Sequence, residues 1–133
     1  MSNLVYPKFK GSLMNLASAT GLLAYDIKVA LMSAAYVPSV VDQFLSDVSG
    51  VVSTCPNLTG KTISADGIFG SDDPTFTAVT GDDVVGFLIY VDTGSPGSSR
   101  LVAYRDSDLT GFPFTPAGFD KTLTLTSAGW FKL

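Results

Sequence analysis

One stretch, residues 84–106, limits what this chain can fold into. It reads Val-Val-Gly-Phe-Leu-Ile-Tyr-Val-Asp, then Thr-Gly-Ser-Pro-Gly-Ser-Ser, then Arg-Leu-Val-Ala-Tyr-Arg-Asp. Two runs rich in β-branched and aromatic residues flank a Gly, Pro and Ser linker, the pattern of antiparallel strands joined by a flexible exposed loop. Alternate residues of a strand face opposite sides. Val85, Phe87, Ile89 and Val91 therefore share one face, and Val84, Leu88 and Tyr90 the other. A strand that is apolar on both faces needs cover on both, which predicts a central position with the rest of the chain wrapped around it. The run 101–106 is weaker and more amphipathic, and is expected nearer an edge.

A chain of 133 residues is long enough to bury a real core as a single domain. The expected domain covers 1–133, with 1–20 as an N-terminal helical arm. The composition is 46% hydrophobic and only 15% charged, which predicts that part of the surface is buried against partners. No apolar run reaches the roughly 18 residues of a membrane span, so no membrane partner is expected. The first residues lack a basic segment followed by an apolar one, so no secretory signal is expected. Net charge is −4. The cations Lys8, Lys10, Lys28, Lys61, Arg100, Arg105, Lys121 and Lys132 are scattered singly, whereas phosphate backbones reward clusters; nucleic acid is not an expected partner. The lone Cys55 forms no internal disulfide and fits manufacture in a reducing compartment. It is expected to be buried and inert.

Along the chain, residues 7–19 carry the one good helical pattern, with Phe9, Leu13, Leu16 and Ala17 at helical spacing, Pro7 in the first turn and Gly21 at the stop. Residues 26–33 alternate as a half-buried strand. Residues 39–47 predict one or two helical turns, with Ser39 as cap, Asp42 three residues later, and Phe44 and Leu45 inward. Beyond Gly50 every segment reads as β: 51–55, 58–64, 75–79, the central ribbon, an edge at 112–115 hemmed by Pro113 and Pro116, then 121–126 and 130–133. Turns are expected at Asp66-Gly67 and at 70–74. Short strands between Gly, Pro, Asn and Asp turns predict an antiparallel sandwich or barrel.

The chain has no histidine, which removes His-activated nucleophiles, most zinc sites and a neutral-pH switch. Gly60-Lys61-Thr62 lacks the upstream glycine of a phosphate-binding loop, Cys55 standing in its place, and reads as a turn within a strand pair. Asp66, Asp72, Asp73, Asp82 and Asp83 lie in loop-rich sequence that could gather oxygen ligands for a hard cation. Turn-forming Asp at strand ends is the commoner explanation, and nothing marks one carboxyl as a hydrolase acid. No catalytic, cofactor-binding or metal-binding residue is therefore assigned. Most aromatics fall in strand patterns, where core packing is the default. Phe112, Phe114 and Phe119 lie instead on a Pro- and Gly-punctuated segment, and are candidates for contact with another chain.

Asp-Ile-Lys-Val-Ala-Leu-Met (26–32), Tyr36-Val37-Pro38 and the run Asp-Gln-Phe-Leu-Ser-Asp-Val (42–48) resemble the opening of a family of small tailed-bacteriophage virion proteins. Asp-Asp-Pro-Thr-Phe-Thr (72–77), Phe-Leu-Ile-Tyr-Val-Asp-Thr-Gly (87–94), Ser-Arg-Leu-Val-Ala-Tyr (99–104), and the closing Leu-Thr-Leu-Thr and Gly-Trp-Phe-Lys-Leu extend the likeness over nearly the whole chain. The resemblance implies a β-sandwich of jellyroll type and a structural role as a capsid cement or decoration protein. Such a protein would bind over junctions between major capsid subunits on the outside of the virion. It implies no catalytic residues.

The expected fold is thus mainly β, an antiparallel jellyroll-type sandwich with one N-terminal helix and a short helical turn. The expected partners are the major capsid protein and a second copy of the chain, a homodimer in preference to a homotrimer. Leu4, Val5, Tyr6, Phe9, Phe112, Phe114 and Phe119 are the expected contact residues, because they are apolar yet outside the strand core. The alternative is a tail, fibre or receptor-binding component that uses the loops 93–99 and 110–118. A carboxylate-based hydrolase is the third reading.

Overall fold

The computed structural model describes residues 3–9, 23, 25–107, 111–126 and 129–132. Among them ten strands follow in order: β1 (Leu4–Val5), β2 (Ile27–Met32), β3 (Val51–Thr54), β4 (Thr62–Ile63), β5 (Ile68–Gly70), β6 (Thr75–Phe76), β7 (Gly86–Val91), β8 (Leu101–Arg105), β9 (Lys121–Thr122) and β10 (Phe131–Lys132). A 3-10 turn, Leu45–Asp47, lies between β2 and β3. The protein is mainly β, and every strand pair is antiparallel. The largest sheet has the order β1-β8-β7-β2-β3; a second runs β10-β5-β4, and β6 pairs with β9.

β7 occupies the middle of the five strands, and all six of its residues are buried. Its sequence demanded cover on both sides, and both sides have it. Register places Leu31, Phe87 and Arg105 in one row and Val29, Ile89, Ala103 and Val5 in the next. That face is met by the small sheet, where Trp130 sets its ring edge-on to Phe87 at 5.1 Å. Ala30, Leu88, Tyr104 and Leu4 share a row of the opposite face. Burying each large apolar side chain contributes about 1.5–3 kcal/mol. Gly86 is required where β7 and β8 approach, because a Cβ there would run into the Arg105 carbonyl and lie 2.9 Å from Asp106 Cβ.

Several expectations need correction. β8 is not amphipathic: Leu101, Val102, Ala103 and Tyr104 are all buried, because β1 takes the edge beside it. β2 is not half-buried, since β7 and β3 flank it and only Lys28 keeps some exposure. The expected 58–64, 75–79 and 121–126 strands shrink to two-residue ladders. The expected turn at Asp66-Gly67 is present, closed by Gly67 N–H donating to the Ser64 carbonyl, and β5, which was not expected, lies between it and the expected 70–74 turn, overlapping that turn only at Gly70. The predicted 39–47 helix is a β-turn followed by the 3-10 turn: Asp42 N–H donates to the Ser39 carbonyl, and Asp47 Oδ2 accepts from Gln43 and Phe44 N–H at 2.9 and 3.0 Å. The N-terminal arm begins as strand, and only Pro7, Lys8 and Phe9 of the expected helix are described, in helical conformation. The remainder, with Leu13, Leu16 and Ala17, lies outside the described residues. No described helix is long and apolar enough to cross a membrane.

Candidate interaction surfaces

The seven expected contact residues divide sharply. Tyr6 and Phe9 are completely buried in the chain's own core, so their side chains leave nothing for a partner. The reason is β1, whose pairing Leu4–Tyr104 and Val5–Ala103 pins the arm to the large sheet and carries Tyr6 and Phe9 inside. Leu4 and Val5 remain half-exposed. Phe112 and Phe114 are also half-buried: their rings meet edge-on at 5.5 Å, and Phe112 meets Phe87 at 6.1 Å. Lys121 Nζ sits 4.7 Å from the Phe114 ring centre, and Phe114 bridges to Val84. Phe119 alone of the seven projects freely, 78% exposed.

The larger exposed apolar feature was not expected from the sequence. Val37, Val40 and Val41 are 71%, 58% and 69% exposed within five residues of chain. Between them Pro38 is buried, so the loop is anchored while its valines face out. Its rigidity comes from a chain of hydroxyls. Tyr36 Oη donates to Asp42 Oδ2 at 2.8 Å, which leaves Tyr6 to donate to the Tyr36 oxygen at 2.6 Å. Ser39 N–H also donates to Asp42 Oδ2, at 3.1 Å. Tyr36 sets its ring edge-on to Tyr104 at 5.6 Å. The arm, the large sheet and the 37–41 loop are thereby tied into one unit. Burial pushes the Tyr6 and Tyr36 hydroxyls well above the usual phenol range, and the neighbouring Asp42 carboxylate adds to the rise at both. Both stay protonated, as donors must.

Val37, Val40 and Val41 stand at i, i+3 and i+4, the spacing of a helical stripe, so nothing in the sequence marked them as exposed. The tyrosine relay had no signal either, because its members are brought together only by β1 docking on β8.

The carboxylates do structural work. Asp73 Oδ1 accepts from Leu125 N–H at 2.9 Å and Asp120 Oδ1 from Ala78 N–H at 2.8 Å. Asp72 accepts from the Thr59 hydroxyl at 3.2 Å. Hydrogen bonds from Phe44 and Gln43 hold the Asp47 carboxyl below the usual range. Among the described residues no three Cys or Asp groups gather as a metal site would require. The Gly60-Lys61-Thr62 triplet is a turn entering β4, with Lys61 Nζ donating to the Tyr25 carbonyl. Cys55 is buried, its sulfur accepting from Val29 N–H at 3.3 Å, and burial pushes the thiol up. A buried, protonated thiol is a poor nucleophile. The 93–99 loop is internally bonded: the Thr93 hydroxyl pairs with Ser98 Oγ at 2.6 Å, and Ser99 Oγ donates to the Ser95 carbonyl at 2.8 Å.

No family model matches the chain, and no curated protein matches it.

Proposed function

We propose that this chain is a structural part of a bacteriophage particle, a capsid cement or decoration protein made in the host cytoplasm and bound outside the shell over contacts between major capsid subunits. The observation that carries this reading is the anchored 37–41 loop, which holds three exposed valines in a fixed position. A rigid apolar projection loses little entropy on docking, which is what repeated weak contacts need. An interface of about 1,600 Å² repeated around a shell gains further from avidity. Phe119 supplies a second apolar contact, and self-association as a homodimer is part of the same reading. The two-layered jellyroll arrangement belongs to it as well, supported by Trp130 packing across from the small sheet onto Phe87.

The test is the copy number of the protein in purified particles, measured by quantitative mass spectrometry against the major capsid protein. A ratio near one, or a simple fraction of it, is the expected result. A ratio of a few percent transfers the protein to the tail, and absence from particles removes the proposal.

A further inference from the structure

Two segments far apart in the chain meet at one tyrosine. Tyr6 belongs to the N-terminal arm and Asp42 closes the 37–41 loop, and Tyr36 stands between them. Tyr36 is the fixed member. It follows shortly after β2, its N–H donates to the Ser33 carbonyl at 3.4 Å, and Ser33 N–H donates in turn to the Gly50 carbonyl at 2.9 Å. The arm is held to β8 by a two-residue ladder and by Tyr6 N–H donating to the Val102 carbonyl at 3.1 Å. The hydrogen bonds of the loop are mostly its own: Asp42 N–H to the Ser39 carbonyl, Ser39 N–H to Asp42 Oδ2, and Val41 N–H to Ser39 Oγ. Among the described residues, the one that leaves the loop joins the Tyr36 hydroxyl to Asp42 Oδ2.

The number of protons makes these contacts interdependent. A carboxylate only accepts, so the Tyr36 proton is committed to Asp42 and the Tyr6 proton to the Tyr36 oxygen. With the arm docked, Tyr6 is fully buried and Tyr36 is 5% exposed, so water does not reach the contact between the two hydroxyls. If Asp42 then swings away, two phenolic protons share one oxygen–oxygen contact, and one proton is left buried without an acceptor. With the arm lifted off, water satisfies Tyr36 and that penalty disappears. Opening of the loop is therefore costly only while the arm is in place.

We infer that the arm and the 37–41 loop form a coupled latch: Tyr6 in its site closes the loop onto Tyr36, and the closed loop holds the arm down. Coupling of this kind is reciprocal, so a partner that grips the valines also fastens the arm. That consequence rests on the loop being a contact surface. The coupling itself does not, and it is read on the isolated chain.

The test follows amide hydrogen exchange in the ¹⁵N-labelled full chain. Asp42→Ala is expected to speed exchange of the Tyr6 amide about tenfold, while the amides of β7 keep their rates. In the Tyr36→Phe background the same substitution leaves the Tyr6 amide unchanged, because the link is already cut. Asp42→Asn, whose amide oxygen still accepts, gives a smaller acceleration and completes the comparison if Asp42→Ala does not fold. An unchanged Tyr6 amide in Asp42→Ala overturns the inference, and so does equal acceleration with and without the Tyr36 hydroxyl. Acceleration of β7 in step with Tyr6 also overturns it, because the arm then opens only with the whole fold. Copy number in particles decides the capsid reading whichever way these rates fall, so the latch and that reading fail separately.

Discussion

At the scale of single residues, buried tyrosines dominate the chemistry. The Tyr36 hydroxyl both accepts from Tyr6 and donates to Asp42, so its removal strands the Tyr6 hydroxyl and leaves Asp42 Oδ2 with Ser39 N–H alone of these two donors. Tyr36→Phe is expected to cost about 1–3 kcal/mol, the penalty of leaving buried polar groups unpaired, and urea unfolding measures it. The same groups set the response to alkali. Burial, then the nearby Asp92 carboxylate, raises Tyr90 to about 12, and burial with Asp106 raises Tyr104 to about 12; Tyr6 and Tyr36 are raised as well. An unfolded tyrosine releases its proton near pH 10, whereas these folded ones hold theirs. Their stabilising contribution is therefore complete below about pH 10 and is lost as pH climbs toward about 12. Each tyrosine adds at most about 1.4 kcal/mol of loss per pH unit. Denaturation midpoints at stepped alkaline pH should stay level up to about pH 9.5 and then fall steeply; a level curve to pH 11 would refute the burial argument.

At the scale of elements, the closest approach in the large sheet is β7 to β8 at Gly86. Gly86→Ala forces Arg105 and Asp106 away, with an expected cost of about 1–3 kcal/mol from overpacking, read as a lowered melting temperature. Legibility also divides by element. β7 was readable because six consecutive residues with no polar face permit one location, the centre; β8 was legible as a strand but was read as amphipathic and nearer an edge. Of the short ladders, β4, β6, β9 and β10 fall inside the expected strands 58–64, 75–79, 121–126 and 130–133, but their extents and partners were not readable, and β5 was missed. Two or three paired residues carry too little period to register, and their placement depends on long-range partners such as Phe131 with Phe69. β1 was missed for the same reason: nothing in Leu4-Val5 announces Tyr104 and Ala103 as partners. That omission misled the contact-residue reading, since apolar residues outside any recognisable strand were taken for exposed ones. Phe119 stayed legible because Gly118 and Asp120 give it no sheet to join.

At the scale of the whole molecule, the inside and the outside can be separated by experiment. Deleting residues 1–6 removes β1 and the fully buried Tyr6. It is expected to destabilise the fold by several kcal/mol, in the range of a large core truncation, rather than to weaken association alone. Val40→Asp with Val41→Asp changes two exposed side chains; it should shift stability by under about 0.5 kcal/mol while abolishing attachment to particles in a sedimentation assay. A double variant that still attaches would end the role assigned to the 37–41 loop. The pairing of Leu4 with Tyr104 also has a consequence in time. β1 joins a strand made about a hundred residues later, and at about 5–20 residues per second it waits roughly 5–20 s for its place to exist. Through that interval Tyr6 and Phe9 have no interior to enter. Their burial therefore follows the completion of β8.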